Sequence, residues 1–377
     1  MSDKFKGSIA QKNVQFPIET VITPLAGENY ARAMIFVPLS QASAYLSGID
    51  SVAADTLYEI TSSSYGSLVS GQLLNWLQPF FKNALAVKVG IAVFDDAAEP
   101  TENTKTLAVV YEHYKMWAYF KFIIGTFGSE GTNDTLQVQL ATLCKVDELY
   151  SDCWIGTNDD DVLTGSSALI TALNNAEANA RVIYNPSTTK NPALAQLGRT
   201  LASPNTETGT PVGNDVDMVA FATIGASGVD GENNLTSAQI TALDNQKVGY
   251  QTFVGDGTDN VVTEGSLTLK GESVGANWVK HYIEYMCKVR GATLITSMNK
   301  YRNNATYQAI LSILSDVVMK FVNLGRLDGF TITAPIFADL PASGDSFTVP
   351  NAWNATYIDT VREVTVYGTL YLTQPTR

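Results

Sequence analysis

Histidine, cysteine and uninterrupted apolar runs are all scarce in this sequence, and each scarcity removes a class of chemistry. Two histidines, His113 and His281, in 377 residues leave very few ways to build a histidine-based triad or zinc site. His113 lies among aromatic residues and His281 on the flank of an apolar helix, positions that suit structural roles. The three cysteines, Cys144, Cys153 and Cys287, are an odd number without CxxC spacing. That argues against a disulfide framework or a thiolate metal site and for reduced, mostly buried thiols. No uninterrupted apolar segment reaches the ~18 residues that span a bilayer. The N-terminus, MSDKFKGSIAQ, has no apolar signal core, so the expectation is a chain made and kept in the cytoplasm, or in something assembled there, with no direct membrane insertion.

Catalytic signatures are missing as well. The sequence has no GxxxxGKS or GxxxxGKT, no GxSxG and no HExxH, and the turn Gly255-Asp256-Gly257 lacks the further glycine of a dinucleotide loop. The acidic runs at 158–161 and 230–234 lack the spacing of a calcium loop, and Asp95 and Asp96 are loop neighbours with no sign of a shared pocket. No catalytic residue, no metal and no cofactor is expected. An α/β hydrolase with a site not visible in the sequence is the enzymatic alternative.

What the chain does contain is apolar content of 45% over a length sufficient for two or more cores. Its formal net charge is -13, from 24 Lys and Arg against 37 Asp and Glu, which argues against broad nucleic-acid binding. The charge is unevenly spread. Between Asn277 and Arg326 seven Lys or Arg face only Glu284 and Asp316, so one end of the molecule is basic and suited to an acidic partner surface.

That basic end is also the most regular. Ile310, Ile313, Leu314, Val317, Val318 and Phe321 recur at helical spacing and predict an amphipathic helix from Asn304 to Gly325, with Asn304 or Thr306 as cap and Gly325 as stop. Trp278, Val279, Tyr282, Ile283, Met286 and Cys287 predict a second helix over Asn277 to Val289, sharing one core with the first. Upstream, helices are predicted at 68–82, 134–146, 168–178, 191–201 and 237–244. Strands are predicted at 84–94, 152–155, 181–184, 218–223 and 248–254, with an apolar segment at 33–37. The aromatic stretch Leu107 to Ile124 fits either helix or strand. A hairpin is predicted over 260–270 with its bend at Glu264-Gly265, and a strand over 330–337. Helix and strand alternate, which predicts an α/β (mixed α+β) architecture.

Both termini are strand-like. Val14, Phe16 and Ile18 alternate with polar residues, but Pro17 and Pro24 confine the segment to an edge or outlying strand, an arm. Val364, Val366, Leu370 and Leu372 alternate with Thr365, Tyr367, Thr369 and Tyr371 in the strongest strand pattern of the chain. An unpaired strand there requires a partner.

The order of these elements resembles the sheath proteins of contractile phage tails, of the short variety found in some myovirus-type tails. The residues that carry the likeness are the strand 247–254, Glu264-Gly265, Gly271 to Trp278, Ile310 to Gly325, Gly329 and the terminal strand 361–372. Tyr65-Gly66, Phe80-Phe81, Tyr111 to Tyr119 and the repeated helix-strand units add to it. The likeness covers most of the chain and rests on order and spacing, not on a signature motif. The chain is shorter than many sheaths, and 297–301 has no proline-marked turn.

The resemblance implies a two-domain structural subunit, not an enzyme. It implies an N-terminal arm over 1–29, an outer and middle portion over 30–270 with a possible boundary near 160, and an inner domain over 271–377 ending in a second arm. It also implies hexameric rings stacked helically around an inner tail tube, with contacts to baseplate and tail terminator proteins and none to nucleic acid. Neighbouring subunits would exchange strands through Val14, Phe16 and Ile18 at one end and Val364, Val366, Leu370 and Leu372 at the other. Lys300, Arg302, Lys320 and Arg326 would face an acidic tube. The assembly would form in the host cytoplasm, reside in the virion's tail, and contract to drive the tube through the host envelope. The non-enzymatic alternative is another ring-forming tail protein of the tube or baseplate.

Overall fold

The structure, a computed structural model, describes residues 30, 32–83, 88–97, 101, 104–124, 134–186, 189–201, 219–221, 235–253, 261–264, 267–272, 274–297, 303–323, 327–339 and 353–357. In chain order the first half contains β1 (Ala33–Pro38), α1 (Leu39–Tyr45), β2 (Thr56–Ile60), α2 (Tyr65–Leu68), α3 (Gly71–Asn83), β3 (Val89–Phe94) and α4 (Leu107–Tyr114). It continues with β4 (Phe120–Ile123), α5 (Asp134–Val146), β5 (Asp152–Thr157), α6 (Ala168–Asn175), β6 (Arg181–Tyr184) and α7 (Pro192–Leu201). Then come β7 (Val219–Phe221), α8 (Ser237–Gln246), β8 (Gly249–Phe253), β9 (Val261–Glu264), α9 (Val274–Ser297), α10 (Asn304–Asn323), β10 (Leu327–Ile332) and β11 (Trp353–Tyr357).

Nine strands form one sheet in the order β2-β3-β1-β4-β5-β6-β8-β9-β7. The run from β3 to β8 is parallel and both flanks are antiparallel. Parallel strands linked by helices are covered on both faces, so they appear as continuous apolar runs and not as alternating ones. β1 and β3 are buried at every position. On one face Ile35, Ile91, Phe122, Trp154 and Ile183 pack with α3, α7, α9 and α10. On the other, Met34, Phe36, Ile155, Val182 and Tyr184 pack with α4, α5, α6 and α8. The result is a three-layer α/β sandwich, the architecture the alternation predicts.

Several predicted elements change on folding. The ambiguous stretch 107–124 contains both answers, helix α4 followed by strand β4. The bend at Glu264-Gly265 does not close a local hairpin. Instead β9 lies antiparallel between β8 and β7, because its pairing partners come from upstream. The strand predicted over 330–337 is displaced to Leu327–Ile332 and gives way to a short 3-10 turn at Phe337–Asp339. Pro335 in between has no backbone donor with which to continue a ladder. The first C-terminal helix runs from Val274 to Ser297, well beyond Val289. The second is capped by Asn303, whose side chain accepts from the Thr306 amide at 2.9 Å, in place of Asn304 or Thr306. Gly325 lies outside the described residues. Cys144 and Cys153 are buried and Cys287 partly so, all three free.

Gly198 shows how closely α3 and α7 approach. A Cβ at this position would lie 2.8 Å from the Phe80 carbonyl oxygen and 2.9 Å from its Cα, both backbone atoms that cannot rotate away. Gly198→Ala is therefore expected to destabilise the chain by about 2 kcal/mol through overpacking, despite the better helix propensity of alanine. A denaturant titration measures this as a shift in midpoint at constant slope.

Candidate assembly surfaces

The basic C-terminal helices are held to the sheet by a cluster of rings. Trp278 and Tyr282 stack at 5.3 Å, and Phe321 of α10 meets both edge-on at 6.2 and 5.3 Å. The helical spacing therefore did predict the shared core: Trp278, Val279, Tyr282 and Ile283 of α9 lie in one cluster with Leu314, Val317, Val318 and Phe321 of α10. Tyr30 sits beneath them, fully buried. Its ring stacks on Tyr119 at 4.6 Å and meets Trp278, Tyr282 and Tyr285 at 6.0, 5.4 and 5.3 Å.

Burial disfavours the charged forms of several polar groups in and near the junction. His281 is buried, and its Nδ1 lies 2.7 Å from the Tyr119 hydroxyl. Burial, aided by Lys280, lowers the imidazole to about 4. Burial likewise raises Asp152 to about 7, although the Trp154 indole donates to it at 2.7 Å. Lys121, with no exposed surface, is lowered to about 7 by burial. It donates to the carbonyls of Lys115, at 2.8 Å, and Ala118. Tyr119, Asp152, Asn179 and His281 all border one small polar cavity, with room for about one water molecule.

The cavity has room for no more than about one water molecule, and the ring nitrogen of His281 faces the Tyr119 hydroxyl. His113 is elsewhere and half-exposed, its Nδ1 2.7 Å from Asp55. Asp55 has φ of 58°, the left-handed region disfavoured for a residue with a Cβ, so its neighbours His113, Lys105 and Tyr114 hold the turn before β2. Asp96 is taken up by Ser40, accepting from its amide at 3.1 Å and its hydroxyl at 2.5 Å. Among the described residues no group of three or more His, Cys, Asp or Glu is placed to hold a metal ion.

The surfaces suited to association lie in the C-terminal elements. β10 and β11 form a separate two-stranded antiparallel sheet, resting on α10 through Leu327, Phe330, Trp353 and Ala355. An isolated pair of strands is marginal in water, and among the described residues neither outer edge is paired with a further strand. Ile332 and Ile336 are exposed beside it, at 38% and 67%. α10 is half-open: Tyr307, Leu314, Val317, Val318 and Phe321 are buried, whereas Ile310, Leu311 and Ile313 are only partly covered. Among the described residues it is the one helix long and apolar enough to cross a membrane, by length and composition only.

Of the residues singled out in the sequence, Lys320 falls in the last turn of α10 and is partly exposed. Val14, Phe16, Ile18, Lys300, Arg302, Arg326, Val364, Val366, Leu370 and Leu372 lie outside the described residues. Sequence reasoning missed β11 and the small sheet that it completes. The run Trp353-Asn-Ala-Thr-Tyr357, following Pro350, carries alternation that marks it, but over only five residues.

No family model matches the sequence, and no curated protein matches it either. Comparison with solved structures finds a likeness over nearly the whole chain. A chain of the anti-feeding prophage baseplate, in a six-fold symmetrised cryo-EM structure, superposes with a TM-score of 0.62 at 13% identity, covering 94% of this chain and 98% of that one. A chain of the PVC sheath complex of an extracellular contractile injection system, in the contracted state, gives 0.62 at 11% identity over 93% and 96%. A sheath tail protein from Listeria innocua gives 0.50 at 10% identity over 82% and 91%. At these identities the likeness is one of fold.

Proposed function

We propose that this chain is the structural subunit of a contractile tail sheath. The observation that supports the reading most is the extent of the likeness: a three-layer α/β core alone is shared by many unrelated proteins. Here the similarity covers 93% of this chain and 96% of a chain from a contracted sheath complex, enough to take in the C-terminal helix pair as well as the core. The polar groups of the junction are buried and hydrogen-bonded within the fold, which suits a structural part.

In this reading residues 1–29 form one arm, 30–270 the outer and middle portion and 271–377 the inner domain with the second arm. The segments containing Val14, Phe16 and Ile18 and containing Val364, Val366, Leu370 and Leu372 pair with neighbouring subunits. The open edges of β10 and β11 offer them main-chain partners. Main-chain hydrogen bonds then link a mesh of hexameric rings while rigid bodies slide past one another, which is what contraction requires. Lys300, Arg302, Lys320 and Arg326 face the inner tube. The particle is a phage tail or a tail-like injection device, and contraction drives the tube through the target envelope.

Negative-stain electron microscopy of the purified, concentrated chain tests this. Stacked rings or hollow tubes of wide bore are the expected result, and compact monomers at every concentration would count against it. The similarity to a baseplate chain favours one second reading, a ring-forming baseplate component, which single rings that never stack would support.

A further inference from the structure

Tyr30 is the first described residue of the chain, and its contacts reach residues more than a hundred positions away. It has no exposed surface. Its hydroxyl points at two backbone carbonyls, those of Leu149 and His281, the latter at 3.0 Å. Its own carbonyl accepts the Trp278 indole N–H at 3.2 Å. Two of these three bonds go to α9, and neither of those crosses to a strand of the large sheet. Three of its four ring contacts, to Trp278, Tyr282 and Tyr285, are again to α9. The fourth, Tyr119, bonds His281 of the same helix.

Only three positions later β1 enters the centre of the sheet, paired on both sides. Tyr30 itself sits in a socket whose far wall is α9, the helix on which α10 and, through it, the β10–β11 sheet are built.

We propose that Tyr30 fastens the root of the N-terminal segment to α9, so that the segment and the C-terminal helix pair form one mechanical unit and pull on residues 1–29 is delivered there and not to β1. Tyr30 is thus a positioning residue for assembly. The inference rests on reading residues 1–29 as the arm that joins subunits. Under that reading, the two termini of one subunit report to the same body, and an arm held by a neighbour sets where the helix pair lies. Tension along the segment meets the buried ring before the β1 ladder.

Amide hydrogen exchange of the full chain decides it. Tyr30→Phe keeps the ring but removes the hydroxyl proton that the two carbonyls share, roughly one buried hydrogen bond. Exchange in peptides from the first half of α9 is expected to rise about tenfold, with peptides from β1, β3 and β4 unchanged. A general loss of stability would instead raise all of them together, and that result, or no change in α9, overturns the proposal. Trp278→Phe, which removes the indole donor from the opposite side of the socket, is expected to give the same selective pattern, and covers the case of a Tyr30 variant that does not fold. In assembled wild-type protein α9 is expected to gain protection over the unassembled chain, a gain that Tyr30→Phe loses while still assembling. Wild-type protein that forms no rings or tubes would refute the sheath reading, while the exchange comparison in the unassembled chain still tests the fastening of Tyr30 to α9.

Discussion

Deleting residues 1–25 is expected to leave a folded chain that no longer assembles. The described fold begins at Tyr30 and β1, and among the described residues every strand of the nine-stranded sheet is paired within residues 33–264, which supports a core that folds without the first 25 residues. Thermal melting and far-ultraviolet circular dichroism should be close to wild type, while rings and tubes disappear from micrographs. Under the proposed strand exchange the effect is close to all-or-none, because pairing between copies would be multivalent and losing one of two arms would break every link in the mesh. Unfolding of the truncated chain would show instead that the segment pairs within its own subunit, and assembly at wild-type level would remove the segment from the mechanism.

The second large effect concerns pH. Burial lifts the Asp152 carboxyl to about 7 from its ordinary 3.8. The folded chain therefore binds this proton more tightly than the unfolded chain does. The stabilisation is complete below about pH 3.8 and is lost as pH rises through 7, a total of about 4 kcal/mol for a shift of about three units. Asp152→Asn retains a carbonyl oxygen for the Trp154 indole and has no charge to bury. It is expected to match wild type near pH 4 and to be more stable by about 4 kcal/mol at pH 9. Burial lowers both Lys121 and His281, so both contribute with the sign opposite to that of Asp152, losing stability as pH falls; the informative quantity is therefore the difference between the wild-type and variant profiles from denaturant titrations. Parallel profiles would mean that Asp152 is ionised in the folded protein at neutral pH.

The large sheet buries apolar surface on both faces, and α9 and α10 belong to one of the layers that cover it. Among the described residues the β10–β11 sheet has no further strand on either edge and α10 keeps partly covered apolar side chains. Tyr30 and Trp278 lie between the sheet and α9; under the proposed sheath reading that junction is where assembly would act.

Much of this was legible in the sequence. Helices α5 and α7, strand β6 and the core stripe of α10 follow from period alone, because each is long or apolar enough for its own residues to dictate the pattern. What period could not decide were cases where the partner is remote. Residues 107–124 became a helix and a strand because Leu107, Val110 and Tyr111 face one core while Phe120 and Phe122 face the other. β9 left its predicted hairpin because β8 and β7 supplied better-placed ladders. β11 exists because β10 lies beside it on α10. Tyr30 is a single tyrosine in a segment with no periodicity, and its importance comes from Leu149, Trp278 and His281, more than a hundred residues away. The chain's own residues fixed which elements form, since helix and strand periods are local properties. Tertiary packing alone decided where they pair and which side chains join the sandwich to the helices, since those depend on contacts between residues far apart in the chain.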